Sequence, residues 1–136
     1  MLLKMIAALI PAIALIFGLY TASTQASVRD IQRAFATQKS NLQVSAQGRI
    51  VKSLPDDIEG DRHQRFLVQL SPQLTILIAH NIDIAPKIDT LKVGNRIQFY
   101  GEYEWNELGG VVHWTHHDPQ QRHPNGWLKY LGRTYQ

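Results

Sequence analysis

The chain has 136 residues, no cysteine, and a formal net charge of +3 with its six histidines neutral. Thiol catalysis, thiolate metal sites and disulfide bracing are excluded, so a chain of this size must hold its fold by packing alone. The sequence pI near 9.3 overstates the basicity, because the charge excess is too small for a generic polyanion binder.

At the N-terminus, Lys4 precedes an apolar run from Met5 to Tyr20 that only Pro11 and Gly18 interrupt. Thr21 to Ser27 is then small and polar, with Thr24 and Ala26 placed as the small residues of a cleavage site. The run is shorter than the roughly 20 apolar residues a membrane span requires. Residues 1–26 therefore read as a signal peptide, and 27–136 as one periplasmic or secreted domain with no stable membrane insertion. An uncleaved anchor is the alternative, and it too leaves the folded part outside the cytoplasm.

Ser27 to Lys39 reads as a short helix: Ser27 caps it, Asp30 lies in its first turn, and Val28, Ile31 and Phe35 form one apolar stripe. Five strands are expected next. The first runs from Val44 to Leu54, with Gly48 in its middle where a coiled strand or a bulge is expected. The second, His63 to Leu70, places Gln64, Phe66, Val68 and Leu70 on one face and His63, Arg65 and Gln69 on the other. Leu74 to His80, Arg96 to Trp105 and Val111 to Thr115 follow, the last two joined by a turn over 106–110. Trp127 to Tyr130 and Arg133 to Tyr135 form a terminal hairpin around Leu131-Gly132. A long third-to-fourth connection and a glycine inside a long first strand point to an all-β fold, a five-stranded OB-like barrel. A small β-sandwich would want more strands than the chain supplies.

Four segments carry a resemblance: Arg62 to Phe66, Ala79 to Asp83, Gly101 to Asn106, and Gly110 to Pro119. Together they resemble a family of small exported bacterial proteins built on a domain of unknown function, over the stretch from Gly48 to the C-terminus. The resemblance implies an exported single-domain protein and brings no activity with it.

Chemistry must then come from the side chains. His113, His116, His117, Asp118 and His123 are candidate ligands of a divalent metal ion, since imidazole and carboxylate suit first-row ions. The spacing is that of neither a zinc finger nor a zinc-protease helix, and surface histidines bonded to backbone are the plain alternative. From Val111 onward the only acid is Asp118, so this end turns strongly cationic as pH falls through the histidine range. If strands four and five pair with matched apolar faces, Tyr103 lies opposite Val112 and Glu102 opposite His113; a slip of two substitutes Glu104. Either pair suits acid–base work or support of a metal.

On strand two, His63 and Arg65 point away from the core and combine a proton handler with a planar cation. Arg62 and Arg122 are candidate anion contacts, and Tyr100 and Trp105 candidate stacking platforms. His80 reads as a rim residue at the end of an apolar face. The catalytic expectation is thus His63, Arg65, Glu102 and His113, in a metal-assisted hydrolase acting on a phosphodiester such as nucleic acid, or another anionic polymer. The alternatives are a non-catalytic binding module for nucleic acid, oligosaccharide or peptide, and a periplasmic metal-binding or stress protein.

Overall fold

The computed structural model describes residues 27–136, so the expected leader over 1–26 lies outside the described residues. Helix α1 (27–36) is followed by seven strands. They are β1 (Leu42–Asp57), β2 (His63–Ser71), β3 (Leu74–Asn81), β4 (Arg96–Glu104), β5 (Val111–His113), β6 (Trp127–Tyr130) and β7 (Arg133–Tyr135). Among the described residues no helix is long and apolar enough to cross a membrane.

β1 pairs antiparallel with β2 on one edge and β4 on the other, and β2 pairs with β3. β3 takes β5 in parallel, and β5 returns antiparallel to β4. The strands in the order 1-2-3-5-4 thus close on themselves as a ring of five. The second edge of β4 is shared: its far end pairs with β5, and Gln98 to Tyr100 pair with β6 of the terminal hairpin. That hairpin turns where expected, on Leu131 and Gly132, which both take positive φ as a tight two-residue turn requires.

Period-two patterning decides which side chains face inward. Phe66, Val68, Ile76, Ile78, Ile97, Phe99 and Val112 are all buried, as their alternation with polar neighbours implies. Ile31 and Ala34 of α1 join the same cluster from one side, and Leu128, Tyr130 and Tyr135 from the hairpin. Burying each large apolar side chain contributes about 1.5–3 kcal/mol.

Of the two alternatives at Gly48, the bulge does not fall there. Gly48 pairs regularly with Ile97, and the shifts in register fall later, between Ile50 and Lys52 and between Leu54 and Asp57. A Cβ on Gly48 would stand 2.5 Å from the Gln69 carbonyl oxygen, so glycine is required here by the close approach of β2. Trp105 is not the free ring expected at the hairpin tip. Its Nε1–H donates to the Phe35 carbonyl (3.1 Å) and its amide to Ser40 Oγ (2.9 Å), which clamps the end of α1 to the sheet.

Candidate functional site

The β4–β5 ladder has the register expected from the apolar faces, with Tyr103 opposite Val112 and Glu102 opposite His113. Both expected glutamate partners reach the imidazole, one directly across and one on the diagonal. His113 Nε2 lies 3.3 Å from Glu102 Oε2 and 3.6 Å from Glu104 Oε1. The other Glu102 oxygen, Oε1, is 3.5 Å from His123 Nε2. Gln43 of β1, paired with Glu102 by the β1–β4 register, brings its Nε2 to 3.5 Å from the same His123 nitrogen. His113 Nε2 and Gln43 Oε1 are shielded from solvent and have no hydrogen-bond partner.

These separations are informative. A charge-assisted hydrogen bond between imidazolium and carboxylate closes to about 2.7–2.9 Å. Donors held about 2.0–2.1 Å from one tetrahedral ion stand roughly 3.3–3.4 Å apart. Glu102, Glu104 and His113 offer one ligand atom each within 4.8 Å of one another, a group able to hold a metal ion together.

β5 stops at His113, short of the expected Thr115, because Trp114 adopts φ 55°. A bulky residue in the left-handed region costs about 1–3 kcal/mol and persists only where its surroundings impose it. Here the indole is gripped on both sides, stacked on His123 at 4.1 Å and tilted against His116 at 5.4 Å. The strand alternation therefore ends at His113, and Thr115 and His116 are both buried.

His123 returns to the sheet through a loop organised by Asp118. The Asp118 carboxylate accepts the backbone N–H groups of Gln120, Arg122 and His123 at 2.8–2.9 Å, which holds its pKa below the usual carboxylate range. Asn125 Oδ1 caps the Asp118 amide, and the Gly126 amide closes the loop onto the His116 carbonyl. Asp118 is thus the loop's fastener, with both oxygens accepting backbone N–H groups. His123 Nδ1–H donates to the Pro124 carbonyl (2.9 Å), which leaves the Nε2 lone pair facing Glu102 and Gln43 when the ring is neutral.

The remaining expected ligands do not reach the cluster. His117 is exposed. His116 is buried, gives its Nδ1–H to the His117 carbonyl (2.7 Å), and has its pKa lowered chiefly by desolvation.

The strand-two constellation is also reassigned. Arg65 donates both Nε and Nη2 to the Pro55 carbonyl, pinning the β1 irregularity to β2. Arg62 is ion-paired with Asp83 at 2.7 Å, and its amide binds the same carboxylate. His63 gives Nδ1–H to the Asp61 carbonyl. Each guanidinium thus has a fixed protein partner, Pro55 for Arg65 and Asp83 for Arg62, which orients it without using all of its N–H donors. Arg122 is exposed on the Asp118 loop, and Tyr100 lies partly exposed with its ring 6.2 Å from that of Trp127.

Gln43 was not visible as a site residue, because strand one was expected to begin one residue later and its pairing with β4 carries no local signal. His80 is not at the rim but fully buried. Its Nε2–H donates to the Pro86 carbonyl (3.0 Å), so Nδ1 accepts from the Thr115 hydroxyl (2.7 Å).

A family model described as protein of unknown function (DUF3465) matches residues 13–136. The chain belongs to this family. The match takes in every residue of the Glu102–His113 cluster and the Asp118 loop, and it reaches further toward the N-terminus than the resemblance carried by the motifs from Gly48 onward. No curated protein matches the chain.

Proposed function

We propose that this is an exported protein that binds one divalent first-row metal ion, of the zinc or manganese class, through Glu102, Glu104 and His113. The scaffold is an OB-type barrel, since a five-strand ring in which β1 joins β2 to β4 and β5 returns beside β3 has that layout. The observation that carries the metal reading is the spacing of the donors. One oxygen of each glutamate stands 3.3 and 3.6 Å from His113 Nε2, near the spacing of co-ligands, and that shielded nitrogen makes no hydrogen bond. His123 stands behind the site, its Nε2 3.5 Å from the second oxygen of Glu102.

Titration calorimetry with Zn²⁺ and Mn²⁺ tests this directly. One ion per chain is expected, with Glu102→Gln abolishing binding and Glu104→Gln weakening it about 10–100-fold. Full-strength binding by Glu102→Gln, or no uptake by the native protein, would overturn the assignment.

A second reading, hydrolysis, is favoured by one further feature. Three protein donors would leave a tetrahedral ion one open position, and each of the three side chains is only partly buried. A metal ion held there would supply, as its chemistry, a water acidic enough to serve as nucleophile at neutral pH. His63, Arg65 and Arg62 take no part in this version. Turnover of a phosphodiester reporter by the metal-loaded protein, absent in His113→Ala, is its signature.

A further inference from the structure

On the outward face, the carboxylate–histidine cluster is one end of a longer feature. Residues alternate in and out along β1, β4 and β6, so the outward positions of the three strands lie in register. Gln43 pairs with Glu102, Ser45 with Tyr100, Gln47 with Gln98, and Arg49 with Arg96, while Lys129 and Trp127 of β6 continue the Gln98 and Tyr100 rows. The stripe therefore passes from acids and histidines, through two aromatic rings, to a cationic end. From Glu102 to Arg96 the separation is about 20 Å at a strand rise near 3.3 Å per residue.

The cationic end is concave. Two contiguous hollows of about 490 and 300 Å³ share Gln47 and Arg96. Between them they are lined by Arg49, Arg96 and Lys129, with no acid. Arg49 and Arg96 are directly opposed across the β1–β4 ladder, an arrangement that like charges disfavour unless an anion lies between them. Arg49 spends one N–H on the Gly94 carbonyl. Midway, Trp127 carries the Lys129 ammonium 4.3 Å above its ring and lies beside Tyr100.

We infer that this face is a track for a single-stranded oligonucleotide, held by its phosphates at Arg49, Arg96 and Lys129, stacked on Tyr100 and Trp127, and led toward the Glu102 cluster. Cations without competing acids recognise a chain of phosphates, and partly exposed rings between them recognise unpaired bases, which a duplex would hide. An acidic oligosaccharide would use the cations too, but it has no flat base for the rings. The length of the stripe fits a site of the order of four nucleotides. The groove stands on its own observations, whereas delivery of the strand to the cluster rests on the metal reading above. Glu102 and Glu104 repel a phosphate until a bound cation neutralises them, so the two halves are separable by experiment.

The test is fluorescence anisotropy of a labelled tetranucleotide against the protein at several salt concentrations, without and with Mn²⁺. Metal uptake is measured in parallel by calorimetry. Three phosphate contacts give a slope of log affinity on log salt of about −2. Arg96→Gln combined with Lys129→Gln is expected to weaken binding at least about 10-fold and flatten that slope, and the exposed Lys39→Gln to change neither. Mn²⁺ is expected to tighten the native complex and not that of Glu102→Gln. No binding at low salt, or binding indifferent to the double variant, overturns the groove. Preference for a uronate or sulfated oligosaccharide over the tetranucleotide overturns the choice of ligand. Calorimetric uptake of Mn²⁺ with no gain in strand affinity overturns the track while leaving the metal site standing. Strand binding without any metal uptake overturns the metal reading alone.

Discussion

His80 shows how burial and hydrogen bonding set the charge state of one residue. With Nε2–H donated to Pro86, its Nδ1 must accept the Thr115 proton, so the ring is neutral in the fold. Desolvation lowers its pKa from 6.5 to about 4. The unfolded chain thus binds a proton that the folded chain refuses, and stability falls as pH drops from about 6.5 toward 4, then levels off once both states are protonated. His116, lowered for the same leading reason, adds in the same direction. The loss ascribed to His80 is about 3 kcal/mol. Urea unfolding followed from pH 7 to pH 4.5 should show the midpoint falling in the native protein, while His80→Gln, less stable at pH 7, should give a flatter profile. A native midpoint independent of pH across this window would show the neutral-ring assignment to be wrong.

At the scale of elements, the loop over 114–126 decides whether the cluster is complete, because it alone carries His123 back to Glu102. Its closure depends on Gly126, where a Cβ would stand 1.9 Å from the Trp114 carbonyl oxygen and 2.5 Å from that of Tyr100. Backbone atoms cannot yield as a flexible side chain would. Gly126→Ala should therefore release the loop, unstack His123 from Trp114 and speed hydrogen exchange of the Arg122 and His123 amides, while the β1–β2 amides keep their protection. Unaltered exchange at Arg122 and His123 would show that the loop tolerates the methyl group. The same elements explain what the sequence disclosed. A glutamate opposite His113 was legible because matching two apolar faces forbids a slip of a single residue, which would bury glutamates, and leaves Glu102 or Glu104 as the partner. The terminal hairpin was legible from its glycine turn. The course of 114–126 was not, since it hangs on a left-handed tryptophan, a residue whose local preference gives no warning of that conformation. The roles of Arg62 and Arg65 were hidden for a related reason: alternation tells which face a side chain leaves from, but not which backbone carbonyl or carboxylate it meets.

For the whole molecule, ring closure has a mechanical consequence. β1–β4 and β3–β5 pairing ties the first strands to the last, and one buried cluster takes side chains from α1, the ring and the terminal hairpin. No strand of the ring can leave without opening two ladders, so the core is expected to fail as a unit. Phe66 lies in that cluster with no exposed surface, on β2 and paired with Ile78 of β3 and Ser53 of β1. Phe66→Ala removes a ring from a packed interior and should cost about 3–5 kcal/mol, the sum of lost transfer energy and the cavity left behind. Because the structure shares one core, the variant should lower hydrogen-exchange protection in β4 and in the β6–β7 hairpin as much as in β2. The exposed Asp118 loop, already freer to open, should change least. A loss below about 1 kcal/mol would contradict the inward placement of Phe66. A full loss confined to β2 and β3 would instead show that the terminal hairpin packs on the ring without sharing its cooperativity.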